Sequence, residues 1–291
     1  MIDMPALPHN LPWELNAYVL LDGVRLPDLA KQLYQWPNRH DGLYVTTRWH
    51  ELLDISPYLV ALTGPNDPVL GFFLRNAGLE PGYLLFTQAD SQTLSTYLRS
   101  LLTVQYPSGD EVMMRVADPA VMHQLITASA DTLSARWFGP IEQVCLPDST
   151  QGLWHEHKRP ADTCEAEPST LRITDQELTA LGEVEFQRYV LRLTAHLNTY
   201  FPDLMAPLSV REQRGYAQRV AQEAYDKGFY SAQEVTLYAN VLAYLGDEPV
   251  ASHPKIDYLL NHKSAFSALV RVQWAAEMAE RLSLAAQEAS Q

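Results

Sequence analysis

The chain has 291 residues, enough for one large domain or two ordinary ones. With 47% hydrophobic and 19% charged residues it has a globular composition, which excludes a largely disordered chain. Its 21 basic and 35 acidic residues leave a net charge of −14, and both halves are acidic. No basic stripe or tail is present to meet phosphates, so neither nucleic acid nor an anionic membrane is an expected partner.

Met1–His9 lacks the basic and apolar regions of a signal peptide, and no apolar run approaches the ~18 residues of a membrane span. Cys145 and Cys164 make no disulfide framework. The expected location is the cytoplasm.

Residues Met1–Leu15 read as a proline-rich arm. Ala17–Leu21 is an apolar strand closed by Asp22-Gly23. Leu26, Leu29, Ala30 and Leu33 follow helical spacing. Strands are expected near Leu43–Val45 and over Pro57–Leu62, with Pro57 at a first position that tolerates a lost donor. Asn66-Asp67-Pro68 can cap a helix running to Asn76. Tyr83–Phe86 is a strand, and Asp90 or Ser91 caps a helix whose Leu94, Leu98, Leu101 and Leu102 share one face. Glu111–Ala117 reads as a strand with Arg115 set into it. Asp118-Pro119 then opens the helix Ala120–Ala130, with Asp as the cap and Pro in the first turn. Phe138-Gly139-Pro140 breaks the chain before a last strand, Ile141–Leu146. This alternation predicts an α/β layer with some parallel pairing.

Pro147–Thr170 is rich in Pro, Gly, Ser and Asp and reads as a linker with room for one edge strand. Beyond it the pattern is helical. Thr174/Glu177, Ser209/Glu212 and Ser231/Glu234 each match a capping box. The second of these helices ends at Lys227-Gly228 and the third at Gly246. A last helix is expected from Pro254, with Leu259, Phe266, Val270, Trp274, Met278 and Leu282 on one side. The fold class is therefore an α/β N-terminal lobe (a mixed sheet with flanking helices) followed by an all-α C-terminal lobe. The expected boundaries are 1–146, a linker at 147–172, and 173–291.

The search for catalytic signatures finds no G-x-S-x-G elbow, phosphate loop or dinucleotide fingerprint. His50-Glu51-Leu52-Leu53-Asp54 starts like a zinc-protease helix but has Asp where the second histidine belongs, so an exposed turn is the simpler reading. His155-x-His157 with Cys164 seven residues on is the nearest thing to a metal cluster; solvated linker histidines are its default. Cys145 reads as a small buried hydrophobe. Arg99 and Arg115 lie near the sheet, where a partly buried guanidinium demands a carboxylate or carbonyl. Asp118 and Asp22 are the candidates for an internal ion pair, and an anion site is the alternative. Phe266, Val270, Trp274 and Met278 form either core or a protein-binding face.

Ala17–Gly23 (Ala-Tyr-Val-Leu-Leu-Asp-Gly), Ser56-Pro57-Tyr58-Leu59-Val60, Leu98-Arg99-Ser100-Leu101-Leu102, Met114–Pro119 and Phe138-Gly139-Pro140-Ile141 occur in this order. Together they resemble the effector adaptors and chaperones of type VI secretion systems, over roughly the first half of the chain. The helices around Gly228 also resemble the C-terminal extension of many members. The resemblance implies a non-enzymatic cytoplasmic protein, without cofactor or metal. Such a protein binds a toxic effector and helps load it onto the VgrG spike, in some cases through a PAAR-type tip. Arg115, Asp118 and Pro119 match the family's Arg-x-x-Asp-Pro, Arg99 its Leu-Arg, and Asp22, Pro57 and Tyr58 the two earlier motifs. Met114, Val116, Ala117 and Ala120 stand where members often carry aromatics and a further arginine, which favours a scaffold role for this corner. The rival readings are a phosphate- or nucleotide-handling α/β enzyme using Arg99 and Arg115, and a permanent subunit of a larger assembly.

Overall fold

The structure is a computed structural model that describes residues 4–129, 134–160, 171–262 and 264–289. It divides into two compact units, Met1–Val184 and Glu185–Gln291. Among the described residues, no helix is long and apolar enough to cross a membrane.

The first unit runs β1 (Asn16–Leu21), α1 (Leu29–Leu33), β2 (His40–Gly42), β3 (Tyr58–Leu62), α2 (Pro68–Arg75), β4 (Gly82–Thr87), α3 (Ser91–Ser100), β5 (Thr103–Gln105), β6 (Glu111–Met113), α4 (Pro119–Ala128), β7 (Gln143–Asp148), β8 (Leu153–Lys158) and β9 (Leu171–Arg172). Six strands form one sheet in the order β2-β3-β1-β4-β7-β8, and three form another in the order β6-β5-β9. The segment between Pro147 and Thr170 thus contributes the edge strand β8 to the larger sheet.

Among the described residues, the parallel pairing expected from the alternation of strands and helices is confined to the small sheet, at β5–β9. In the larger sheet the ladders are antiparallel. The sequence misleads because both faces of this sheet are covered. Tyr18, Leu20, Tyr83, Leu85, Val144 and Leu146 face a core shared with α3 and α4. Val19, Leu21, Leu84, Phe86 and Cys145 face a second core with α1 and α2. Antiparallel strands buried on both sides lose the apolar–polar alternation and read as continuous apolar runs, the usual signature of parallel strands.

Two further expectations shift. The strand near Leu43–Val45 lies three residues earlier, at β2, and Val45 N–H closes a turn onto Gly42 O. The strand Glu111–Ala117 stops at Met113. Arg115 then sits in the turn before α4, where Asp118 N–H reaches Arg115 O and buried Tyr83 donates its hydroxyl to Val116 O at 2.9 Å.

α5 (Asp175–Tyr200) opens in the first unit, with Leu178 and Leu181 packed on the α/β core. The second unit continues with α6 (Pro202–Met205), α7 (Val210–Asp226), α8 (Ala232–Leu245), α9 (Pro254–Asn261) and α10 (Ala268–Ala289). All three capping boxes form: Thr174 and Glu177 exchange bonds at α5, and the Ser/Glu pairs do so at α7 and α8. Each satisfies donors that a helix start leaves orphaned. The single last helix expected from Pro254 is instead two. His262 leaves α9 in an extended conformation, and Ser267 accepts the Val270 N–H at the start of α10. Phe266 lies in the turn between them.

Candidate protein-binding surface

The motif residues of the first unit converge at the end of β1. Asp22 is 4% exposed; its Oδ1 accepts the Val24 N–H, and its Oδ2 accepts Arg115 Nη2 at 2.5 Å. Asp118 is 1% exposed, caps α4 by accepting the Ala120 and Val121 N–H groups, and lies 3.7 Å from Arg115 Nη1. Pro119 occupies the first turn of α4. One arginine therefore joins the end of β1 to the cap of α4 through two carboxylates. Gly23 lets the chain pass close by: a Cβ there would stand 2.4 Å from Ser56 O. Pro57 holds this crossing, its carbonyl accepting the Leu43 N–H and the Ser56 hydroxyl. Tyr58 opens β3 opposite Leu21 and Gly42.

Arg99 has a different partner from those considered in the sequence. Its Nη2 reaches both oxygens of Asp41 at 2.7 and 2.8 Å, and its Nε donates to Leu43 O, so it fastens α3 to the edge strand β2. Asp41 was missed because nothing local marks it; the pair spans 58 residues. Both arginines thus have their forks turned to carboxylates of the chain, which removes the observation on which a phosphate site rested.

His155 and His157 do share one side of β8, and a third imidazole from α4 joins them. His123 stacks on His155 with ring centroids 3.7 Å apart and lies 2.8 Å from His157, Nδ1 to Nε2. His155 Nε2 is 3.1 Å from Asp148 Oδ2. Burial first, then the neighbouring imidazoles, push His123 down to about 4 against the pull of Asp148. Burial and His155 likewise lower His157. Cys164 lies outside the described residues. Among those described, no group of three or more His, Cys, Asp or Glu side chains is arranged to hold a metal ion. His50 and Glu51 begin an exposed 3-10 turn, His50–Ile55. Cys145 is fully buried, and burial raises its thiol to about 12.

A second buried cluster was not anticipated. The Glu177 side chain is inaccessible to solvent and accepts bonds from Arg136, Ser129, Thr174 and Trp137 Nε1. Burial alone would raise its carboxyl; the donors more than reverse this and hold it below the usual range.

The second unit leaves its apolar groups in a different state. α9 and α10 flank an open groove of about 640 Å³. Lys255, Tyr258 and Leu259 line it from α9. Trp274, Glu277, Met278 and Arg281 line it from α10. Tyr258, Phe266 and Trp274 are 55%, 54% and 40% exposed. Phe266 sits edge-on to Trp274 at 4.7 Å, Val270 is half-buried one turn before Trp274, and Met278 follows one turn after it. Opposite this face, Val272, Ala275, Ala276 and Ala279 pack into the helical core. Buried Arg271 sets the spacing of the two helices: its Nη1 donates to Leu259 O and His262 O at the end of α9, and its guanidinium lies over Phe229. Exposed aromatics flanking a groove on a helix pair are what a protein-docking surface requires.

Residues 17–135 match the family described as a domain of unknown function, DUF4123. The accessory protein VasW of Vibrio cholerae serotype O1 is 30% identical to the chain over 277 residues, covering 93% of this chain and 90% of VasW. No solved structure matches. The likeness to VasW runs through the motif corner and on across the helical unit, well past the 17–135 match. The chain belongs to the DUF4123 family, which is the family of type VI secretion effector adaptors.

Proposed function

We propose that the chain is a non-catalytic cytoplasmic adaptor that binds a type VI secretion effector and helps load it onto the VgrG spike, or onto a PAAR-type tip. The observation that carries this reading is the 30% identity to an accessory protein across nearly its whole length, helical unit included. The fold adds physical support. Arg99 and Arg115, the residues that a phosphate-handling enzyme would use, are paired internally. The exposed aromatics lie instead on the helical unit, where the α9–α10 surface carries Phe266, Val270, Trp274 and Met278 as the proposed contact residues. Asp22, Pro57, Tyr58, Arg99, Arg115, Asp118 and Pro119 then keep the scaffold in shape. The direct test is co-expression with type VI effectors and the VgrG spike protein of the same genome, followed by size-exclusion chromatography. A complex with the effector, able to take up the spike protein, is expected. Separate elution of all three would contradict the proposal.

A further inference from the structure

The α9–α10 groove has the chemistry to select its occupant, and we infer that it takes an acidic amphipathic helix. This inference rests on the adaptor reading for its biological partner, though not for its chemistry. On the chain's side, Trp274, Glu277, Met278 and Arg281 lie at positions i, i+3, i+4 and i+7 of α10. Such residues share one face and span seven steps, about 10 Å at 1.5 Å per residue. Tyr258 and Leu259 supply the facing wall, and the lining is mostly apolar. A floor of that length matches two turns of a helix presenting apolar anchors at i, i+3 or i+4, and i+7.

The charges at the rim decide what flanks those anchors. Lys255 and Arg281 both line the groove, and neither makes an ion pair among the described residues. Glu277 is the one carboxylate of the lining. The groove is therefore locally cationic on a chain whose net charge is −14. A basic segment would be attracted to most of this protein's surface and repelled here. An acidic one would be repelled generally and drawn to this rim, so the two cations fix both place and register. A second copy of the chain carries the same net charge of −14 and is disfavoured as the occupant for that reason.

The test uses two fluorescein-labelled synthetic helices of about three turns, with identical leucines at the anchor positions and either Glu or Lys at the flanking positions. Fluorescence anisotropy with the full chain at low salt is expected to show the Glu peptide binding at least about tenfold tighter than the Lys peptide, with the preference fading as salt rises. Trp274→Ala with Met278→Ala should abolish binding of both. Lys255→Glu with Arg281→Glu, which touches only exposed charges, should invert the preference, and unchanged circular dichroism melting verifies the fold. Equal binding of the two peptides, or binding indifferent to these substitutions, overturns the inference. Dimerisation of the parent chain that the Trp274/Met278 pair abolishes overturns it too, since a second copy then fills the groove. Capture of a type VI effector that survives all four substitutions overturns the groove assignment and leaves the adaptor reading standing. Peptide discrimination with no effector capture does the reverse.

Discussion

The corner at Arg115 and the groove at Trp274 meet opposite physical conditions. At the corner, Asp22 and Asp118 are buried, and both turn to the same guanidinium and to backbone donors. At the groove, aromatic rings stand in water beside two cations without ion pairs among the described residues. A buried charge survives only when its partners are supplied by the fold, so the first arrangement holds structure together. Exposed aromatics contribute little until something covers them, so the second is poised for association. Residues that carry a family motif need not be those that touch a partner.

The comparison can be broken hardest in the first unit. Glu177→Ala strips one acceptor from Arg136, Ser129, Thr174 and Trp137 together. It should cost about 3–5 kcal/mol, as breaking a buried pair does, read as a lowered urea midpoint. The Glu177 carboxyl is depressed in the fold, so its contribution is complete above the ordinary carboxylate range and is lost as pH falls below that range toward the depressed folded value. Arg115→Ala comes next. Its side chain is 38% exposed, which discounts the loss to about 2–3 kcal/mol, most of it the cost of leaving Asp22 buried with only a backbone donor. Partner affinity, measured where the variant is folded, should not change. A variant as stable as the parent that loses the partner would make the corner the interface.

A separate effect is expected from acid. Because the His123 imidazole sits near 4 in the fold, below its ordinary value of 6.5, the unfolded chain binds more protons between those limits. Thermal stability should therefore fall as pH drops from about 6.5 toward 4, and His123→Phe should flatten that part of the profile. A modest change in stability belongs to Trp274→Ala with Met278→Ala, about 1–2 kcal/mol because both side chains are part-covered and Met278 packs on the helical core, with a large loss of binding. Binding unchanged in that variant would place the contact elsewhere.

Local chemistry was well marked in the sequence. Asp67, Asp90 and Asp118 cap the helices that they precede, and the three Ser/Thr–Glu boxes close as spacing implied. What depends on distant pairing was not. Asp41 meets Arg99 only after β2 joins the sheet. His123 meets the β8 histidines only through packing of α4, and its sole trace was the His155-x-His157 alternation. Antiparallel order was hidden because both faces of β1 and β4 are apolar. The break before α10 did leave a signal, Ser264 and Ser267, which an apolar spacing running through Phe266 concealed. Nothing local marks Arg271 either, a buried cation whose guanidinium ties α10 to the end of α9.

The central claim is that the groove binds and the corner supports. The most direct measurement is calorimetric titration of the effector that co-purifies with the parent chain into the Trp274→Ala/Met278→Ala variant, with its thermal midpoint recorded beside the parent's. The account predicts a Kd weakened by at least about tenfold at a midpoint within roughly 2–8 °C of the parent. Parental affinity in that variant, with Arg115→Ala losing the effector while still folded, would contradict it.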